Sequence, residues 1–261
     1  MNRKIISLQV LVFLAFIFLW KSVIFIFDFP EFILPQPETI FIEWCSMLKS
    51  GLLLEHTMVT LSETIIGFVI GVFLGIIPGY FVAKSKQIDQ ILSPYLVALQ
   101  TAPKIALAPL IVMWFGFGIS SKIIIVALIV FFPILVNTIV GIRSVDKNLL
   151  DLMKILKASK LQILRLVELP ASMPVLFAAF KTGITLAVIG AVVGEFIGSN
   201  KGLGYLTIYA SGLMDTPQVF VAIFQLTIIG ILLYLLIDFI EGKTIPWYRK
   251  GEEDVVKTSK Y

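Results

Sequence analysis

DLMKILKASKLQILRLVELPASMP, residues 151–174, is a basic, amphipathic stretch set among apolar runs long enough to cross a bilayer. Hydrophobic types make up 58% of the 261 residues and charged types 15%, against roughly 25% charged in an ordinary soluble domain. A soluble fold interleaves polar residues at helical or strand periods, and long windows here contain almost none. The bilayer is the solvent for most of this chain. The quoted stretch has helix signals of its own. Asp146 suits an N-cap, and Leu149, Leu152, Met153 and Leu156 follow at helical spacing. Lys147, Asp151 and Lys154 share the opposite face, where they can pair. Ser159 with Gln162 three residues later forms a capping box for a second short helix, which Leu169-Pro170 is expected to end. The turn between the two helices is expected at Lys157-Ala158. Two uses suit such a pair: an amphipathic connector lying on anionic lipid, or a dock for a cytoplasmic partner.

Outward from this insert, six apolar spans are expected at about 5–27, 61–83, 91–115, 123–142, 175–197 and 219–240. No small-residue cleavage site follows the first, so an uncleaved helix is expected there. The third carries Pro94, Pro103, Pro109 and Lys104, and such a helix breaks or kinks where its freed backbone groups can face protein or water. The segments on the insert's side of the membrane hold Arg3, Lys4, Lys84, Lys86, Arg143, Lys147, Lys154, Lys157, Lys160, Arg165, Lys243, Arg249, Lys250, Lys257 and Lys260. The opposite loops hold Lys49, Lys122 and Lys201; fifteen basic residues against three put both termini and the insert in the cytoplasm. The segment 28–56 is then external and acidic, with a short interfacial helix expected near 41–48. Gly67, Gly71, Gly75 and Gly79 recur every four residues in the second span and form a flat strip for helix packing. The expected division is 1–56 for the first span and external loop, 57–241 for the core with its cytoplasmic loop at 143–173, and 242–261 for a cytoplasmic tail.

The insert resembles the EAA loop of ABC-importer permeases, a pattern of roughly E-A-A-x-x-x-G followed after a spacer by Leu-Pro. Asp151 falls at the acidic position, Leu152 and Met153 at the two alanines, Lys157 at the glycine, and Val167-Glu168-Leu169-Pro170 at the end. Three further stretches resemble the nitrate/sulfonate/taurine group of these permeases: QTAPKIALAPLIVMWFGFGISSKI (100–123), FFPILVNTIVGIRSVD (131–146) and GEFIGSNKGLGYL (194–206). The matching regions cover about 57–240. The resemblance implies an all-α membrane protein with the type I ABC importer permease fold and cytoplasmic coupling helices. It implies a multi-pass subunit of a prokaryotic inner membrane that pairs with a second permease copy, two cytoplasmic ATPase subunits and an extracytoplasmic solute-binding protein. It places ATPase coupling on Asp151, Leu152, Met153, Lys154, Lys157 and Ala158. A side chain at a left-handed turn costs roughly 1 kcal/mol, so Lys157 suggests a turn built differently here. Solutes associated with the group are nitrate, bicarbonate, taurine and other sulfonates, thiamine-precursor pyrimidines and riboflavin.

The chemistry expected on this chain itself is slight. It has no G-x-x-x-x-G-K-[ST] loop; GFGISSK at Gly116 lacks the second glycine before its lysine. ATP and Mg therefore belong to the partner ATPase, and no cofactor is expected here. His56 is the only histidine and Cys45 the only cysteine, which leaves no metal-ligand spacing, no Ser-His-Asp set and no intrachain disulfide. The net charge of +4 is topogenic in its distribution and points to membrane lipid rather than nucleic acid. Intramembrane charges mark functional positions by default. Lys104, with Gln100 and Thr101 on the same face, either lines a pathway or caps carbonyls. Lys181 snorkels to the inner interface or faces the interior. Glu195 is expected at the outer interface, and Asn137 as a bridge between helices or a pathway group. A lysine on the pathway favours an anion. Composition and span count equally allow a stand-alone secondary transporter or channel, which needs no ATPase dock.

Overall fold

The computed structural model describes residues 3–248, with side chains from residue 7. Residues 249–261, with Arg249, Lys250, Lys257 and Lys260, lie outside the described residues, as do the side chains of Arg3 and Lys4. Among the described residues every regular element is helical. Five helices are long and apolar enough to cross a membrane, and a bent pair counted as one span makes six. The chain divides into two units, Met1–Val59 with Asn200–Thr227, and Thr60–Ser199 with Ile228–Tyr261.

The first unit contains α1 (Arg3–Phe27), α2 (Pro37–Lys49), the start of α3 (Leu52–Lys84), α10 (Leu203–Gly212) and the start of α11 (Thr216–Thr244). Pro37 opens α2, where its missing N–H costs nothing. Trp20 of α1 packs on Phe220 of α11 at 5.4 Å between ring centroids and donates its indole N–H to the Pro35 carbonyl. Lys21 pairs with Glu38 at 2.5 Å, and this hydrogen bond holds the Glu38 carboxyl below the usual carboxylate range. The second span starts nine residues before its expected position, since α3 begins at Leu52. Gly51 adopts φ +80°, which lets the chain turn and re-enter a helix at once. The polar residues of the new first turn find partners: Glu55 pairs with Lys201 at 2.7 Å, and His56 is buried with Nδ1 3.0 Å from the Gly202 backbone.

The second unit holds the rest of α3, then α4 (Lys86–Thr101), α5 (Ala108–Phe115), α6 (Ile119–Arg143), α7 (Lys147–Ile155), α8 (Lys160–Ile163), α9 (Leu169–Gly198) and the end of α11. The glycine strip of α3 lies against α6. A Cβ on Gly67, Gly71 or Gly75 would fall 2.5–2.8 Å from the Cβ of Val126, Val130 or Ile134, and one on Gly79 would meet Thr138 at 2.9 Å. The third span is broken as its prolines suggest: α4 and the segment Lys104–Phe115 meet at 80°. Pro103 excludes the helical region for the residue before it, and Ala102 takes ψ 138°.

The insert departs from expectation at one end. Leu169-Pro170 does not terminate the second short helix; α8 runs through a π-turn at Leu164–Glu168 directly into α9. Leu169 N–H reaches back five residues to the Leu164 carbonyl. The wider turn accommodates the proline ring and its missing donor, so Pro170 sits in the first turn of α9 rather than after a helix.

Candidate coupling surface and translocation cavity

The Asp146 side chain accepts from Asn148 N–H at 2.8 Å and starts α7. Leu149, Leu152 and Leu156 form an exposed apolar stripe along it, with Leu152 50% and Leu156 66% exposed. Asp151 and Lys154 pair at 2.8 Å in solvent, a contact worth little by itself. The turn that follows is not built differently despite its lysine. Lys157 adopts φ +54°, its N–H bonds the Lys154 carbonyl, and Ala158 N–H bonds that of Met153. These two bonds make a Schellman cap, the geometry in which glycine is favoured. Ser159 and Gln162 then satisfy each other's backbone N–H groups as a capping box, which starts α8.

Beside the broken span lies a cavity of about 440 Å³. Gln100 and Lys104 supply its polar wall, and Ile105, Ile129, Phe132 and Leu186 much of the rest. Lys104 Nζ donates to the Gln100 carbonyl at 2.7 Å and sits 4.8 Å from the Phe132 ring centroid. The break brings the amine to the exposed C-terminal carbonyls of α4, where a cation is favoured. Thr101 does not present its hydroxyl to the cavity; it bonds the Val97 and Ala98 carbonyls of its own helix. Asn137 does not bridge helices, since its amide donates to the Pro133 carbonyl on α6.

Three charged side chains of the apolar spans are held inside the protein. Lys181 faces inward rather than snorkelling, held by Asp238 at 2.7 Å and Glu241 at 2.6 Å on α11. Glu195, three residues from the C-terminal end of α9, is buried, 2% exposed, and accepts from Thr60 Oγ1 at 2.7 Å. Lys122 is not in an external loop: α6 starts at Ile119, and the side chain is fully buried. Its Nζ donates to the Phe117 carbonyl at 2.7 Å and to that of Gly198, so it caps the C-terminus of α9. Gly194 leaves room for its stem; a Cβ there would lie 3.0 Å from Lys122 Cγ. Glu63, 1% exposed on α3, hydrogen-bonds Glu195, and both carboxyl groups face Lys122. Sequence reasoning missed Glu63 and Lys122 as partners. The available signal was a carboxylate two residues inside an apolar span and a lysine one residue outside another.

A family model described as "Binding-protein-dependent transport system inner membrane component" matches residues 67–250. The chain belongs to this family. Among its relatives is the riboflavin transport system permease protein RibX of Chloroflexus aurantiacus, 42% identical over 93% of this chain and 90% of the relative. The formylaminopyrimidine transport permease protein ThiX of Halalkalibacterium halodurans is 35% identical over 96% of this chain and all of the relative. The fold is shared with a MetNI methionine ABC transporter structure, at a TM-score of 0.64 and 20% identity over 73% of this chain and 94% of that one. The protein is thus a multi-pass inner-membrane permease component of an ABC importer, a non-catalytic subunit whose ATPase is a separate chain. The group resemblance holds, and nothing supports a stand-alone transporter.

Proposed function

We propose that this permease passes a small planar heterocycle of the riboflavin or pyrimidine type. The observation that carries this reading is the wall of the 440 Å³ cavity, where Phe132 and three aliphatic side chains outnumber Gln100 and Lys104. Its volume falls in the ~300–1,000 Å³ range of small-molecule pockets, which pair apolar walls with a few polar groups. The Lys104 amine is already engaged by a carbonyl and a ring, which leaves fewer of its N–H donors for an anion. The riboflavin and formylaminopyrimidine permeases among the relatives support the same class. A second reading, a sulfonate-type anion, rests on the presence of Lys104 at the cavity wall.

Transport assays with the cognate binding protein and ATPase separate the two. For a heterocycle, Phe132→Ala lowers transport more than Lys104→Gln does. For an anion the order reverses, and the binding protein prefers taurine or nitrate to flavins and pyrimidines.

The assembly is two copies of this chain with two ATPase subunits, ATP and Mg lying on the ATPase. Both termini are cytoplasmic, and α7 docks on the ATPase through the residues around Asp151, Leu152, Met153, Lys154, Lys157 and Ala158. The exposed Leu149, Leu152 and Leu156 stripe, an apolar surface turned away from the helix's own unit, supports this role.

A further inference from the structure

A cavity of about 800 Å³ opens among the ends of α3 and α6, the start of α4 and the face of α7 opposite its leucine stripe. Lys84, Lys86, Arg143, Lys147 and Lys154 line it, against two carboxylates, Asp89 and Glu168. Both carboxylates are already taken. Glu168, 1% exposed, is held by Lys84 at 2.5 Å and by the Tyr80 hydroxyl, and Asp89 is held by Arg143 at 3.0 Å. Lys154 pairs with Asp151, which does not line the cavity. Lys86 and Lys147 have no carboxylate within salt-bridge distance among the described residues. The wall therefore carries an excess of three positive charges with two uncommitted ammonium groups. Basic pockets at the cytoplasmic ends of membrane helices attract phosphate-bearing headgroups, because the anionic leaflet concentrates them there.

Resting on the cytoplasmic orientation proposed above, we propose that this cavity binds the phosphate of an anionic ligand, the headgroup of an anionic phospholipid or a soluble phosphate ester. Lys147 lies three residues before Leu150 and Lys154 four after it, along one face of α7, so an occupant touches the back of the helix whose leucine stripe points the other way. Occupancy then braces α7 at the membrane surface without competing for the stripe.

The permease–ATPase complex, purified into phosphatidylcholine nanodiscs, is titrated with phosphatidylglycerol and separately with glycerol phosphate, and bound anion is read by native mass spectrometry. Phosphatidylglycerol is retained, and Lys86→Gln and Lys147→Gln each weaken retention about fivefold while Lys243→Gln, outside the cavity, leaves it unchanged. Binding of glycerol phosphate with the same lysine dependence supports the site and names a soluble source. Equal retention in the double variant overturns the proposal. So does loss of ATPase association in that variant with anion binding unchanged, which assigns the cavity to the protein partner. Gln90→Cys in a Cys45→Ser background, probed with an impermeant reagent, tests orientation independently. Labelling from the outside overturns the cytoplasmic placement and leaves the anion titration standing.

Discussion

Lys122 shows how far a single side chain can determine packing in a membrane core. It places one ammonium opposite two buried carboxyl groups and at the carbonyl end of α9, where the unsatisfied groups of the last turn favour a cation. Removing it leaves the one negative charge of the hydrogen-bonded Glu63–Glu195 pair without a counter-charge. Lys122→Met is expected to destabilise the purified permease by about 3–5 kcal/mol, read as a lowered unfolding midpoint. Adding Glu195→Gln, which removes that charge, should recover part of the loss; strictly additive losses would refute the coupling. Lys157 is the opposite case, a residue whose side chain opposes its backbone. Its left-handed φ of +54° costs about 1 kcal/mol relative to glycine. Lys157→Gly should raise the hydrogen-exchange protection of the amides at the α7 C-terminus by about that much, and leave the cap bonds of residues 157 and 158 in place.

At the scale of elements, α3 and α6 meet through glycine rather than through interdigitated large side chains. The strip was legible in the sequence because a four-residue glycine period defines one helix face; its partner was not, since periodicity names a face and never what covers it. Gly71 lies where a Cβ would stand 2.8 Å from that of Val130 and 2.9 Å from the Ala127 carbonyl, whereas Gly230 on α11 has open space. Gly71→Ala is expected to cost about 1–3 kcal/mol by overpacking. Gly230→Ala should be neutral or stabilising by up to about 1 kcal/mol through helix propensity. Equal thermal shifts for the two variants would contradict close α3–α6 packing. The proline signals divided in two ways. Pro103 broke its span as read, because the restriction on Ala102 is local. Pro170 did not end its helix, because a π-turn absorbed the lost donor.

For the whole molecule, the proposed ATPase dock rests on the exposed leucine stripe of α7. Leu152→Asp should abolish co-purification of the ATPase and substrate-stimulated ATP hydrolysis while the permease still folds. Asp151→Asn, which removes only an exposed pair, should change either by less than about 1 kcal/mol in binding, or roughly fivefold. Retained association in Leu152→Asp would move the dock elsewhere. Lys122 lies in the first turn of α6 rather than in a loop, which leaves Lys49 and Lys201 of the three basic residues counted opposite the insert.

The sequence by itself determined the solvent, the number of spans, the break at Pro103 and the capped helix pair between spans. Each rests on composition or on residues within a few positions of one another, where propensity and sterics act without the rest of the chain. Only the tertiary structure decided which polar groups meet in the apolar interior. Glu63 and Lys122 stand 59 positions apart and Lys122 and Gly198 76, and Lys181 finds Asp238 and Glu241 across a similar distance. A buried charge must be matched wherever the packing of helices brings it, and that packing is fixed by surfaces no local pattern records.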